Sequence, residues 1–225
     1  VDATGEVTMV GGHQNNRPSP IHEENRMVEN IFEELDSEKE WYHDQENNKL
    51  YLWPKECVNI NNASVEVSHL KHLIEIKGSN DNPVNNITIE GIRFEQTQRT
   101  FMETYHALLR SDWTIYRGGA ILLDGTESCT IADCEFSNLG GNVIFMNGYN
   151  RNTRIAGNHI HHVGASAICF VGDTTAVRSG SYHYSEFVPF EEMDTAVGPA
   201  NELYPSECVV DNNLIHDIGL IEKQV

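Results

Sequence analysis

Four carboxylates, Glu103, Asp112, Asp124 and Asp173, stand among aromatic and basic side chains in a pattern suited to acid–base work on a sugar. Cleaving a glycosidic bond takes two carboxyl groups about 5 to 9.5 Å apart, one protonated and one ionised. Asp124 and Asp173 each close a short apolar run, and Glu103 lies in a stretch from Gln98 to Arg117, so these three are the catalytic candidates. The same stretch holds Arg110, Asp112, Trp113, Tyr116 and Arg117, which fit the substrate side. Rings stack on pyranose faces, and charged groups hydrogen-bond to hydroxyls. Each of these residues also has a plainer role open to it, as a solvated acid or as the basic half of a surface ion pair.

Other reactive side chains point to less chemistry. His159, His161 and His162 alternate so that the first two share a side and the third faces away. No third ligand follows at a recognisable spacing, so no metal and no cofactor is expected. The five cysteines, Cys57, Cys129, Cys134, Cys169 and Cys208, form no CxxC pair, and four of them fall inside a repeat. They read as small buried hydrophobes with free thiols.

A net charge of −19, from 34 acidic against 15 Lys and Arg residues, sets the partner class. A polyanion would meet an already negative surface, so nucleic acid is excluded and an anionic membrane surface disfavoured. A polyuronate is disfavoured too, because a lyase needs local positive charge or bound Ca²⁺ to hold it. A neutral oligo- or polysaccharide remains, and acidity that serves only solubility is the alternative. No apolar run reaches the roughly 18 residues needed to span a bilayer.

The elements that position these residues come from an internal repeat. Asn86–Phe94, Ser128–Phe136, Asn152–Ile160 and Glu207–Ile215 each read as a short alternating strand, a two-residue polar corner and a second strand. Ile89, Ile131, Ile155 and Val210 fall in one column, and Phe94, Phe136, Ile160 and Ile215 in another. A further strand recurs as Ala120–Gly125, Val143–Gly148 and Ala167–Gly172, with Leu73–Gly78 as an earlier copy. Ile121, Ile144 and Ile168 are separated by 23 and 24 residues. Three short strands per 23 to 24 residues predict an all-β, right-handed parallel β-helix, a three-sided solenoid in which Ile stacks on Ile and Phe on Phe. Gly91, Asp133, Gly157 and Asn212 share one corner, where turn or left-handed dihedrals are required. Leucine-rich repeats and propeller blades have other signatures and periods. Val225 falls inside a repeat, so the solenoid is expected to be incomplete at its C-terminal end, and the chain to be an excised or processed segment.

The period fails twice. Ile89 and Ile131 are 42 apart, 18 beyond the 24-residue period, and Ile155 and Val210 are 55 apart, 31 beyond it. The surplus forms inserted loops, about 98–118 and 173–205, each rich in aromatic, His, Arg and carboxylate residues. Insertions in a solenoid emerge on one face, often the binding face. Both are expected to wall one cleft. Residues 1–57 do not share the repeat and form a lead-in, with a short helix over Val28–Leu35 and a β-hairpin of Glu40–Asp44 with Lys49–Pro54; residues 58–225 carry the coils.

Val28–Asp36, followed by Glu40–Asp44 and Leu50–Leu52, resembles the lead-in of large bacterial β-helix proteins of glycoside hydrolase family 141. Leu108–Ala120, Gly141–Arg151, Gly164–Asp173 and Ile221–Gln224 resemble further stretches of that family. The resemblance covers its N-terminal and central part only. It implies a secreted or periplasmic, cell-surface bacterial protein acting on fucosides or xylans. Family members continue with more coils and a Gly-Asp-His-Gly stretch that has no counterpart here. Asn150, inside one matching stretch, and His162 complete the substrate-binding candidates. The classes left open are a glycoside hydrolase, a non-catalytic polysaccharide-binding or adhesin β-helix and, last, a polysaccharide lyase.

Overall fold

A computed structural model describes residues 29–101, 103, 106–107, 114–180 and 186–222. The described residues form two compact units, 29–67 and those from 68 to 222. In the smaller unit Trp41–Asp44 pairs antiparallel with Lys49–Leu52, the expected hairpin. The expected helix is only a three-residue 3-10 turn, Phe32–Glu34. That turn instead supplies Phe32, whose ring meets Tyr42 and Tyr51 edge-on at 5.2 and 5.4 Å. Three aromatic rings shared between a turn and a hairpin give the unit its apolar contact without a longer helix.

The larger unit is all-β and built on three parallel sheets. Ile74–Lys77, Ile121–Glu127, Ile144–Arg151 and Ile168–Val171 form the first. Thr88–Glu90, Thr130–Ala132, Arg154–Ala156 and Val209–Asp211 form the second. The third consists of Arg93–Glu95, Glu135–Leu139, His159–Val163 and Leu214–His216. Each successive stretch of chain therefore gives one strand to each sheet, and four such coils stack. Parallel strands about 4.8 Å apart satisfy each other's backbone and superpose like residues.

The register is the one the columns predict. Ile89, Ile131, Ile155 and Val210 pair in a line, as do Phe94, Phe136, Ile160 and Ile215. Phe94 and Phe136 stack with ring centroids 4.9 Å apart and planes 9° apart. Ile121, Leu123, Ile144 and Met146 complete the core from the first sheet, all fully buried.

Corners keep the strands in register. Gly91, Asp133, Gly157 and Asn212 all have positive φ, between 50° and 69°. Two further columns do the same: Asn86, Ser128, Asn152 and Glu207 before the second sheet, and Gln96, Asn138, His162 and Asp217 at the end of the third. Asparagines bridge the coils at one corner. Buried Asn158 accepts from the Cys134 amide at 3.0 Å and donates to the Ile131 carbonyl at 3.0 Å, while Asn213 donates to Ile155 one coil on. All five cysteines are free. Cys129, Cys134 and Cys169 are buried, and burial pushes the Cys169 thiol up to about 12. Cys57 departs from the expectation, since it is exposed in the smaller unit. Among the described residues no helix is long and apolar enough to cross a membrane.

Candidate functional site

Alternation along the first sheet sends every second side chain outward. One outward file runs Lys77, Asp124, Asn147, Val171, and the neighbouring file runs Glu75, Leu122, Phe145, Cys169. Ile115, from the first insertion, packs on Leu122, Phe145 and Cys169. This apolar strip holds the insertion against the sheet and leaves the other file as the polar part of the face.

Three coils are linked by side-chain bonds in that polar file. Asn147 donates to Asp124 at 2.9 Å and accepts from the Arg117 guanidinium at 2.7 Å. Arg117 also donates to the Gly172 carbonyl at 2.9 Å, where the second insertion begins. The two insertions thus meet across the face, joined by Arg117. Next to Gly172, Asp173 is held below the usual carboxylate range by hydrogen bonds from the Thr175 hydroxyl and amide, at 2.6 and 2.8 Å, with Arg117 and His106 adding positive charge nearby. It is the N-cap of the 3-10 turn Thr174–Ala176.

At the first-coil end a second polar group surrounds Tyr116. Glu103 is ion-paired with Lys71 at 2.7 Å, and its hydrogen bond raises the Lys71 ammonium. The Tyr116 hydroxyl lies 3.3 Å from His72 Nε2, the two rings are stacked, and burial raises its phenol. Outward Glu75 is lowered chiefly by its bond from Lys77.

The structure therefore gathers Asp124, Arg117 and Asp173 at one place, adds Asn147, and gives Glu103 and Tyr116 partners of their own. Arg110, Asp112 and Trp113 lie outside the described residues, as do Tyr182 to Ser185. Two substrate-binding candidates stand elsewhere. Asn150 is fully buried at a corner, accepting from Thr126 at 2.7 Å and donating to the Asn147 carbonyl at 2.9 Å, so it ties coils together from inside. His162 occupies a positive-φ corner after the third sheet, away from the first-sheet face, with Nδ1 2.8 Å from His161 Nδ1.

His162 belongs to a second constellation that spacing alone did not reveal. On the outer face of the third sheet Glu135 pairs with His159, and His161 pairs with His216. Ligand atoms of Glu135, His159 and His161 lie within 4.8 Å of one another. The third ligand missing from the local sequence thus stands one coil earlier, and His216 stands one coil later. Asn147 could have been found by laying Val143–Gly148 on Ala120–Gly125, which sets it beside Asp124; His216 needed the same superposition in the next strand. No family model, no curated protein and no solved structure matches the chain.

Proposed function

We propose that the stacked coils form a right-handed parallel β-helix and that the outward face of its first sheet binds a neutral oligosaccharide. Parallel connections within one sheet are right-handed in nearly all proteins, and three short strands per 23 to 24 residues is the spacing of a three-sided solenoid. The observation that carries the binding assignment is the Arg117–Asn147–Asp124 chain, which joins side chains of the second and third coils to the first insertion, with Arg117 also reaching Gly172 at the start of the second. Such a run of polar groups matches the repeated hydroxyls of a sugar chain lying along the stack, since successive sugars and successive coils both advance by several ångströms. The net charge of −19 favours a neutral glycan over a polyuronate.

Binding fits these residues better than hydrolysis does. A hydrolase needs one carboxyl group that stays protonated. Asp173 is held ionised by the turn it caps and Glu103 is ion-paired with Lys71, which leaves Asp124, hydrogen-bonded by Asn147, as the catalytic candidate. The reading is therefore of the sugar-holding part of a glycan-acting β-helix, of the kind the resemblance to glycoside hydrolase family 141 implies.

Calorimetric titration of the chain with neutral xylo- and fuco-oligosaccharides, and with polygalacturonate as the charged control, tests this. Arg117→Ala is expected to weaken neutral-glycan binding by at least tenfold, about 1.4 kcal/mol, with the fold intact by circular dichroism. Failure of the unaltered chain to bind any neutral glycan, or equal binding by Arg117→Ala, contradicts the assignment. Release of reducing ends that Asp124→Asn abolishes would move the reading from binding to hydrolysis.

A further inference from the structure

We infer that Glu135, His159, His161 and His216 form a binding site for a divalent transition-metal ion that clamps three successive coils of the third sheet. Glu135 comes from the second coil, His159 and His161 from the third, and His216 from the fourth. Their side chains emerge on the same outer face, because Glu135 pairs with His159 and His161 with His216 at equivalent register.

Ligand atoms of Glu135, His159 and His161 lie within 4.8 Å of one another, and His216 joins them through His159. His159 Nε2 and His216 Nε2 lie 2.9 Å apart, and His161 Nε2 lies 3.4 Å from Glu135 Oε1. The rings of His159 and His161 are 4.3 Å apart, and those of His161 and His216 are stacked at 5.3 Å with planes 6° apart. Two imidazole nitrogens bound to one ion, each about 2.1 Å from it, stand roughly 3 Å apart. The observed separation therefore needs little rearrangement.

A second, independent feature points the same way. His216 Nδ1 lies 2.8 Å from Asp217 Oδ2. A carboxylate there accepts a hydrogen bond from Nδ1–H and leaves the Nε2 lone pair facing His159, the outer-shell arrangement that orients metal-binding histidines. With His216 in that tautomer, the His159 Nε2 proton bridges the pair; it moves to His159 Nδ1 when an ion takes both lone pairs. Glu135 is oriented as well, because Arg93 stands 3.7 Å from Oε2, while Oε1 faces His161. Arg93 is itself paired with Glu95 at 2.7 Å, which tempers its charge at the site.

Three imidazoles and one carboxylate select the ion class. Nitrogen-rich sets suit Zn²⁺, Co²⁺, Ni²⁺ or Cu²⁺, whereas Ca²⁺ and Mg²⁺ take oxygen ligands. The ion's role follows from the position of the site. In the fourth coil Val210 and Ile215, of the inward files, are 43% and 39% exposed. A clamp through His216 would tie the fourth coil to the third. Binding that favours the stacked state raises its stability by mass action.

The test uses the chain prepared without a polyhistidine tag, stripped of metal, and dialysed against Zn²⁺, Co²⁺ or Ca²⁺. One Zn²⁺ or Co²⁺ per chain at micromolar concentration is expected, with Co²⁺ giving visible d–d bands that Zn²⁺ abolishes, and no binding of Ca²⁺. Zn²⁺ should raise the melting temperature and slow amide exchange over 207–217. His159→Ala and His216→Ala should each weaken binding at least tenfold and cancel both effects. If either alanine variant loses its β-type circular dichroism, Glu135→Gln and His216→Gln carry the same comparison. Failure of the unaltered chain to bind Zn²⁺, or undiminished stoichiometry and affinity in these variants, overturns the site.

Discussion

The third and fourth coils have the same pattern of strands and corners, yet they differ sharply in what holds them. Ile155 and Ile160 in the third coil are fully buried, while their partners one coil on, Val210 and Ile215, are 43% and 39% exposed. Identical local sequence logic thus goes with unequal burial, because each coil buries its inward residues against its neighbours. Hydrophobic burial scales with the apolar area removed from water.

The largest contrast comes from burying a charge. Ile155→Asp is expected to unfold the stack around it, at a cost of about 4 kcal/mol or more for an unpaired buried carboxylate. Val210→Asp should cost about 1 kcal/mol, since its side chain reaches solvent. Chemical denaturation of the two variants side by side measures the difference, and equal losses would break the comparison. A smaller contrast lies at the asparagine corner. Asn158→Ala strands the Cys134 amide and the Ile131 carbonyl in the interior and should cost about 2 kcal/mol. Asn213→Ala, nearer solvent, should cost under about 1 kcal/mol.

The smallest expected effect concerns acid. Asp173 has a depressed carboxyl because Thr175 bonds to the ionised form. A depressed folded-state value means stability present above the unfolded value, near pH 4, and lost as pH falls through the folded one. The group is half-buried and reaches solvent, so screening keeps the contribution under about 1 kcal/mol. Comparing urea unfolding of the unaltered chain and Asp173→Asn between pH 7 and pH 2.5 should show a slightly steeper acid loss in the former. Parallel curves would return Asp173 to a role without electrostatic weight.

The fold was legible in the sequence where a side chain is bound to a column. The isoleucine and phenylalanine files, the shared corner of Gly91, Asp133, Gly157 and Asn212, and the hairpin all follow from local alternation and turn chemistry. The helix expected over Val28–Leu35 was not, because apolar spacing over a few residues does not distinguish a helix from a 3-10 turn whose Phe32 packs on a hairpin. The sites were only half legible. Arg117 and Asp124 stood out by type, but their link through Asn147 exists only once two adjacent coils are superposed. Asn150 has the look of a polar contact residue and is an interior bridge, since corners of stacked coils consume buried amides. The histidines were visible, whereas His216 and Glu135 sit 55 and 26 residues from His161 and meet it only through the register.

Amide hydrogen–deuterium exchange across the whole chain tests the stacked-coil account most directly. Protection should be greatest at Thr130–Ala132 and Arg154–Ala156, whose strands have a partner on both sides, and should fall at Val209–Asp211 and Leu214–His216. Ile155→Ala should lower protection at Ile131 and Val210, its partners in register, before it does so in the hairpin unit. Uniform protection over the four coils, or a loss that spreads along the sequence instead of across the register, would contradict the account.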